Sequence, residues 1–204
     1  MSDDSTPEQG FLILHGWQNR RPADHWQHWL ADRLTGLGHE VVYPQLPDPD
    51  EPSLDVWLAE YERHLASLRA RRRTVLCHSL ACCTWLHAVD RGLVRDPVDR
   101  VLLIAPPGPA FLRDAPEITA FTAPQVTPAQ LGAAARHTRV VCADDDPYCV
   151  EGADAAYARP SAVPADVLPG TAHLNPDSGY GPWSALLDWC LSPGPADSPV
   201  GATR

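Results

Sequence analysis

Residues 73–91, Arg-Thr-Val-Leu-Cys-His-Ser-Leu-Ala-Cys-Cys-Thr-Trp-Leu-His-Ala-Val-Asp-Arg, constrain the fold of this chain more than any other stretch. Thr74-Val75-Leu76-Cys77 is a short apolar run, the pattern of a strand buried on both faces. From Leu80 to Arg91 the apolar residues recur at helical spacing. Ser79 stands in the sharp turn between them. Such a turn lifts the serine hydroxyl above the sheet edge and points the free amides and positive dipole end of the helix at the same spot. That is the geometry of a nucleophile elbow. The usual elbow has glycine two residues either side of the serine, because strand and helix pass so close. Here those positions hold Cys77 and Ala81, both small. A serine that only caps the helix gives the same string of residues, so the rest of the chain has to decide.

The elements around this stretch alternate. Phe11-Leu12-Ile13-Leu14 reads as a first strand and ends in His15-Gly16-Trp17. A helix is predicted over 24–36, with Trp26, Trp29, Leu30 and Leu34 on one side. Glu40-Val41-Val42-Tyr43 is a second strand, followed by a proline-rich stretch from Pro44 to Pro52. Ser53 then starts a helix that buries Leu54, Trp57, Leu58, Tyr61 and Leu65. After the elbow strand come Arg100 to Ala105, Arg139 to Ala143 and Ala165 to Leu168 as further strands. Helical segments fall near 127–136, 150–158 and 182–191. Continuous apolar strands alternating with amphipathic helices imply an α/β fold: a mostly parallel sheet of about six strands with helices on both faces. Ligands of such sheets bind beyond the carboxyl ends of the strands. Residues 106–126 form a long irregular stretch, the one candidate for a partial lid. A single domain over 11–191 is expected, with residues 1–10 and 192–204 as disordered tails.

Composition excludes several functions. A formal charge of −10 repels phosphate backbones, so no nucleic-acid partner is expected. The basic cluster Arg69 to Arg73 fits the C-terminal end of a helix, where the dipole favours cations. No apolar run reaches the length of a membrane span, and the polar, acidic residues 1–10 lack a signal core, which makes the cytoplasm the expected compartment and rules out a membrane partner. The six cysteines match no zinc spacing and read as free thiols. His25 and His28 lie one helical turn apart without a third ligand nearby and read as surface or packing residues. No metal or organic cofactor is implied.

A serine nucleophile needs a base, and the base needs an acid to fix its tautomer and stabilise the imidazolium. Asp144-Asp145-Asp146-Pro147 follows the fifth strand, and Pro169-Gly170-Thr171-Ala172-His173 follows the sixth. The order Ser, Asp, His is that of α/β-hydrolases. Taken singly, the aspartate run reads as a solvated turn and the histidine as an ordinary loop residue. Together, each at a strand end, they make a set. His78 is adjacent to Ser79 and cannot reach its hydroxyl as a base, so it is expected to pack under the elbow. The oxyanion hole of this fold takes one N–H from the residue after the nucleophile, Leu80, and one from the loop after an earlier strand. His15-Gly16-Trp17 is that loop, and Trp17 is the second donor.

Four stretches carry a more specific resemblance. They are Leu14-His15-Gly16-Trp17 with Asp24-His25-Trp26; Pro47-Asp48-Pro49 with Trp57-Leu58; His78-Ser79-Leu80; and Asp145-Asp146-Pro147 with His173-Leu174-Asn175 and Ser178-Gly179-Tyr180-Gly181-Pro182-Trp183. In these the chain resembles the small single-domain serine hydrolases of the retinoblastoma-binding-protein-nine type, within the α/β-hydrolase superfamily. The resemblance covers about 11–191 and implies that the acid directly precedes Pro147, which selects Asp146. It also implies a sheet without a large cap domain.

The expected function is hydrolysis of small carboxylic esters, with thioesters and amides as further substrates, through Ser79, His173 and Asp146. The other class open to the sequence is a catalytically weak ligand- or protein-binding module on a hydrolase scaffold. Trp17, Phe111, Phe121, Tyr148, Tyr180 and Trp183 stand on strand-end loops, each divided between core and cleft; Trp17, Tyr148 and Phe111 are the expected substrate contacts. Substrate identity and oligomeric state are not encoded in any motif.

Overall fold

The computed structural model describes residues 7–192. Six strands form one sheet: β1 (Gln9–Leu14), β2 (Glu40–Val42), β3 (Arg72–His78), β4 (Val98–Ile104), β5 (Ala135–Ala143) and β6 (Ala165–Leu168). Their order is β2-β1-β3-β4-β5-β6, and every neighbouring pair is parallel. Parallel pairing requires a crossover between successive strands, and the amphipathic segments supply them. On β1, Phe11 and Ile13 face one layer and Leu12 and Leu14 the other, and all four are buried. α1 (Trp26–Gly36) and α6 (Ser184–Leu191) cover the first face through Trp26, Leu30, Leu34, Leu186 and Trp189. α2 (Leu54–Ser67) and α3 (Leu80–Asp90) cover the second through Trp57, Tyr61, Trp85 and Leu86. Fully burying one apolar side chain of this kind is worth roughly 1.5–3 kcal/mol, which is why both faces are closed.

The chain leaves β1 in one direction to make β2 and returns on the other side of β1 to make β3. The connections after β1 and β3 therefore diverge, and the crevice they leave at the strand carboxyl ends is where sheets of this kind bind ligands. His15-Gly16-Trp17 and Ser79 sit at that crevice.

Several boundaries differ from those read in the sequence. β1 begins at Gln9, so the expected N-terminal tail is shorter: the Pro7 and Glu8 carbonyls accept hydrogen bonds from Arg71 N and Arg72 N, both at 3.0 Å. Gly10 fits there because a Cβ would stand 2.7 Å from that of Ala70. The other parts of the expected tails, 1–6 and 193–204, lie outside the described residues. α2 ends at Ser67, and Arg72 and Arg73 open β3 and do not close the helix. β5 starts at Ala135, where Arg136 and His137 interrupt the apolar pattern while the backbone still pairs with β4. The segment expected as a helix over 150–158 is a single wide turn, Asp154–Ala158.

The 106–126 stretch is not irregular. It contains α4 (Pro109–Asp114), preceded by Gly108, and a tight turn at Thr119–Phe121. Glu151 Oε1 accepts a hydrogen bond from Ala110 N at 2.8 Å, and Gly108 N donates to Tyr148 O at 2.7 Å. Leu112, Ile118 and Phe121 are buried, with Phe121 edge-on to Trp57 at 5.3 Å. The segment is packed onto the second helical layer and forms a fixed wall of the crevice. Among the described residues, α5 (Pro128–Ala134) completes the helices, and no helix is long and apolar enough to cross a membrane.

Candidate active site

Ser79 adopts φ 54° and ψ −124°, the left-handed side of the map that a non-glycine residue enters only when its surroundings hold it there. β3 runs straight into this residue and α3 starts at the next. Ser79 N donates to Ile104 O at 2.9 Å, and Cys82 N donates to Ser79 O at 2.9 Å, so strand and helix grip the turn from both sides. The hydroxyl does not cap α3. It lies 2.9 Å from His173 Nε2. Cys77 and Ala81, which stand in place of the usual glycines, are both completely buried.

His173 Nδ1 lies 2.8 Å from Asp146 Oδ2 and 3.0 Å from Oδ1. A carboxylate can only accept, so the imidazole proton sits on Nδ1 and Nε2 turns a lone pair toward the Ser79 hydroxyl. Asp146 is 4% exposed and also accepts from Tyr148 N at 2.9 Å. Three residues far apart in sequence, Ser79, His173 and Asp146, are thus joined in one hydrogen-bonded line at the ends of β3, β6 and β5.

Taken singly the aspartate run reads as a solvated turn, and Asp144 and Asp145 are indeed exposed, but each also holds a backbone amide of the loop that carries His173. Asp144 Oδ1 accepts from Gly170 N and Asp145 Oδ1 from Ala172 N, each at 2.8 Å. The loop they hold is strained: Ala172 and Leu174, either side of His173, have φ of 45° and 51°. Its other anchors are Trp26 Nε1, which donates to Leu174 O at 2.9 Å, and His78 Nε2, which donates to His173 O at 3.1 Å. His78 packs beneath the elbow as expected, but as part of this clamp. Burial holds its imidazole well below the ordinary histidine range, so it stays neutral beside His173.

On the other side of the hydroxyl stands the loop after β1. A Cβ on Gly16 would lie 2.7 Å from Ser79 Cβ and 3.1 Å from Oγ, so only glycine lets this backbone approach. The next residue is Trp17. Trp17 and Leu80, the residues after Gly16 and Ser79, both line the cleft that contains the hydroxyl.

A cleft of about 670 Å³ opens over the hydroxyl. Trp17, Phe111 and Tyr148, the expected substrate contacts, all line it. They form a chain of tilted and edge-on rings: Trp17 to Phe111 at 6.2 Å, Phe111 to Tyr148 at 5.0 Å, and Tyr148 to His173 at 4.5 Å. The lining also includes the polar residues Asn19, Arg20, Asp24 and Asn175. Phe121 is core, and Trp183 is buried between Trp26 and Tyr180.

His25 and His28 do not converge. His25 caps α1, its Nδ1 accepting from Gln27 N at 3.2 Å, and burial lowers its pKa to about 4. His28 lies 3.6 Å from Asp32. All six cysteines are buried and unpaired. Cys149, the thiol of that set in the loop beside Asp146, is pushed up to about 12 by burial, which leaves it a poor nucleophile.

A family model described as serine hydrolase matches residues 11–190. The YdeN protein of Bacillus subtilis (strain 168), named as a hydrolase, is 25% identical over 137 residues, covering 66% of this chain and 69% of its own. The crystal structure of the B. subtilis ydeN gene product superposes with a TM-score of 0.72 at 21% identity, over 89% of this chain and 96% of that one. The esterase domain of a Rhodothermus marinus protein gives 0.61 at 16% identity, over 87% and 83%. Likenesses at such identity are likenesses of fold, and the fold is that of the α/β-hydrolases.

Proposed function

The chain belongs to the serine hydrolase family, and from that premise we propose that it hydrolyses small carboxylic esters through an acyl-enzyme on Ser79. The observation that carries this reading is the line Ser79 Oγ, His173 Nε2, His173 Nδ1, Asp146 Oδ2, at 2.9 and 2.8 Å. His173 takes the Ser79 proton at Nε2 as Oγ attacks the carbonyl carbon, and Asp146 stabilises the imidazolium through Nδ1–H. The charge that develops on the carbonyl oxygen is met by the N–H groups of Trp17 and Leu80. His173 returns the proton to the departing alcohol. Water, activated by the same nitrogen, then attacks the acyl-enzyme and frees Ser79. Thioesters and amides pass through the same intermediate and are included as substrates.

Within the family we assign the chain to the retinoblastoma-binding-protein-nine type, on the stretches quoted above. The residues 106–126, packed as a wall and not as a separate cap, support that assignment. We further propose one catalytic domain over 11–191 acting in the cytoplasm on a small-molecule substrate, without a nucleic-acid or membrane partner. The unpaired thiols and the acidic charge support this.

The test is labelling by a fluorophosphonate probe, alongside hydrolysis of nitrophenyl acetate, in the parent protein and in Ser79→Ala. Loss of both signals in the variant is the expected result. A folded parent that takes no label is instead a binding module on a hydrolase scaffold, and label that persists in Ser79→Ala moves the chemistry to another residue.

A further inference from the structure

His15 follows the last residue of β1 and is completely buried, its ring edge-on to Trp57 at 5.8 Å. Two hydrogen bonds fix its tautomer. Leu46 N donates to Nε2 at 2.8 Å, so Nε2 offers a lone pair and the proton sits on Nδ1. Gln45 Nε2 stands 3.0 Å from the same acceptor. Nδ1–H then donates to Gly16 O at 2.8 Å. Burial pulls the imidazole down to about 4, which keeps it in this neutral form at ordinary pH.

Gly16 O and Trp17 N–H belong to the same peptide group. In a trans peptide the carbonyl and the N–H point in opposite directions. The hydrogen bond that draws the oxygen toward the His15 ring therefore turns the Trp17 N–H away from it. Gly16 is also the residue pressed against the nucleophile, a Cβ's breadth from Ser79. Glycine makes that approach sterically open, yet its freedom at φ and ψ leaves the following peptide free to rotate. Something outside the glycine has to hold the plane. Gln18, two residues on, sits at φ 55° with its N–H donating to Pro49 O at 2.8 Å, so the loop is also fixed on its far side.

We infer that His15 is a positioning residue for the oxyanion hole: it holds Gly16 O and so aims the Trp17 N–H at the oxygen that becomes charged when Ser79 attacks. The inference rests on the acyl-enzyme reading above. The two ring nitrogens have separable tasks. Nδ1–H sets the donor, and Nε2 ties the end of β1 to the loop at Leu46. Asparagine reproduces the position of Nδ1 and glutamine that of Nε2, so the two variants divide the tasks between them.

His15→Asn keeps a donor to Gly16 O and loses the acceptor for Leu46 N. It is expected to melt at a lower temperature and to retain kcat within about threefold. His15→Gln keeps an acceptor within reach of Leu46 N and loses the aim of the Trp17 amide. Its kcat is expected to fall roughly 10- to 100-fold, less than the roughly 100- to 1,000-fold for an oxyanion donor removed outright, because the amide is misaimed and not lost, with KM changed less than about twofold. The inhibition constant of a boronic acid that mimics the tetrahedral adduct should rise in parallel with that loss. Nitrogen NMR of the parent needs no variant: it should show His15 as the Nδ1–H tautomer at neutral pH. An Nε2–H tautomer, or Asn and Gln variants with equal kcat, overturns the assignment. If Ser79→Ala leaves hydrolysis intact, the acyl-enzyme reading falls and this one with it. If Ser79→Ala silences the enzyme while the His15 variants turn over alike, only the role of His15 is refuted.

Discussion

Replacing Gly16 by alanine adds one methyl group, and the structure fixes where it goes. The new Cβ would stand 2.7 Å from Ser79 Cβ, 3.1 Å from Oγ and 3.2 Å from the His78 carbonyl oxygen. Carbon atoms in contact prefer about 3.5–4.0 Å, so Gly16 and Ser79 must separate by roughly 0.8 Å or more. Neither partner is the free end of a flexible side chain. Ser79 Cβ is held by a turn already at φ 54°, between a strand and a helix. Ser79 or the loop that carries Trp17 has to move. A misplacement near 1 Å costs on the order of a hundredfold in rate, and overpacking costs roughly 1–3 kcal/mol in stability. Gly16→Ala should therefore lower kcat/KM for nitrophenyl acetate about a hundredfold while the protein still folds. Gly132→Ala is the control. Gly132 lies in α5 with no atom within 4 Å of an added Cβ, and there alanine should be neutral or stabilising by up to about 1 kcal/mol. A folded Gly16→Ala enzyme within threefold of the parent would refute the close approach of the two loops.

Asp146→Asn should lower kcat about a thousandfold or more through the wrong tautomer of His173; a loss under tenfold in steady-state assays would displace Asp146 from its role. Asp145→Ala, which releases the strained Ala172, should lower kcat about five- to tenfold, and Asp145→Asn, which keeps an acceptor, should restore most of it; equal rates in the two variants would count against the clamp. The buried histidines make stability depend on pH. His15 and His25 bind a proton near 4 in the fold but near 6.5 when unfolded. As pH falls, the unfolded chain therefore protonates first. Stability is complete above about 6.5 and declines toward pH 4, by up to roughly 3 kcal/mol for each, so urea midpoints at pH 7.5 and 4.5 that coincide would contradict their burial as neutral groups. Across nitrophenyl esters, kcat/KM should peak at short acyl chains, since methylenes beyond the cleft wall stay in water and gain none of the ~0.8 kcal/mol of burial; a peak at eight carbons or longer would point to a groove this wall does not form.

The sheet was legible because its inner strands are short buried apolar runs between amphipathic helices; the edge strands β2 and β6 are only partly buried and were placed by the alternation of elements. What escaped was structure without such a pattern. Arg136 and His137 pair with β4 through their backbones while their side chains reach water, so the start of β5 carried no apolar signal. Residues 106–126 read as a lid because Pro107, Pro109 and Pro124 break every period. They are ordered by contacts from elsewhere, the Glu151 carboxylate on Ala110 N and the packing of Phe121 on Trp57. Nothing within the segment announces those partners.

The same division runs through the site. Ser79, His173 and the aspartate run were legible as candidates because side-chain chemistry restricts residue type and parallel topology restricts position to strand ends; Asp146 was singled out within the run only by the family resemblance. The three aspartates could not be told apart by chemistry. They differ only in what faces them: one meets an imidazole, and the other two meet the backbone amides of Gly170 and Ala172. A carboxylate that holds an N–H leaves no trace at the far end, since every residue but proline has one. His15 escaped for a like reason. Its two shortest hydrogen bonds are to a backbone carbonyl and a backbone amide, so its task appears only when the peptide it holds is seen against Ser79. Groups that act through side chains mark the sequence at both ends of the interaction. Groups that aim the backbone mark it at one, and these are the residues for which the fold had to be known before a role could be argued.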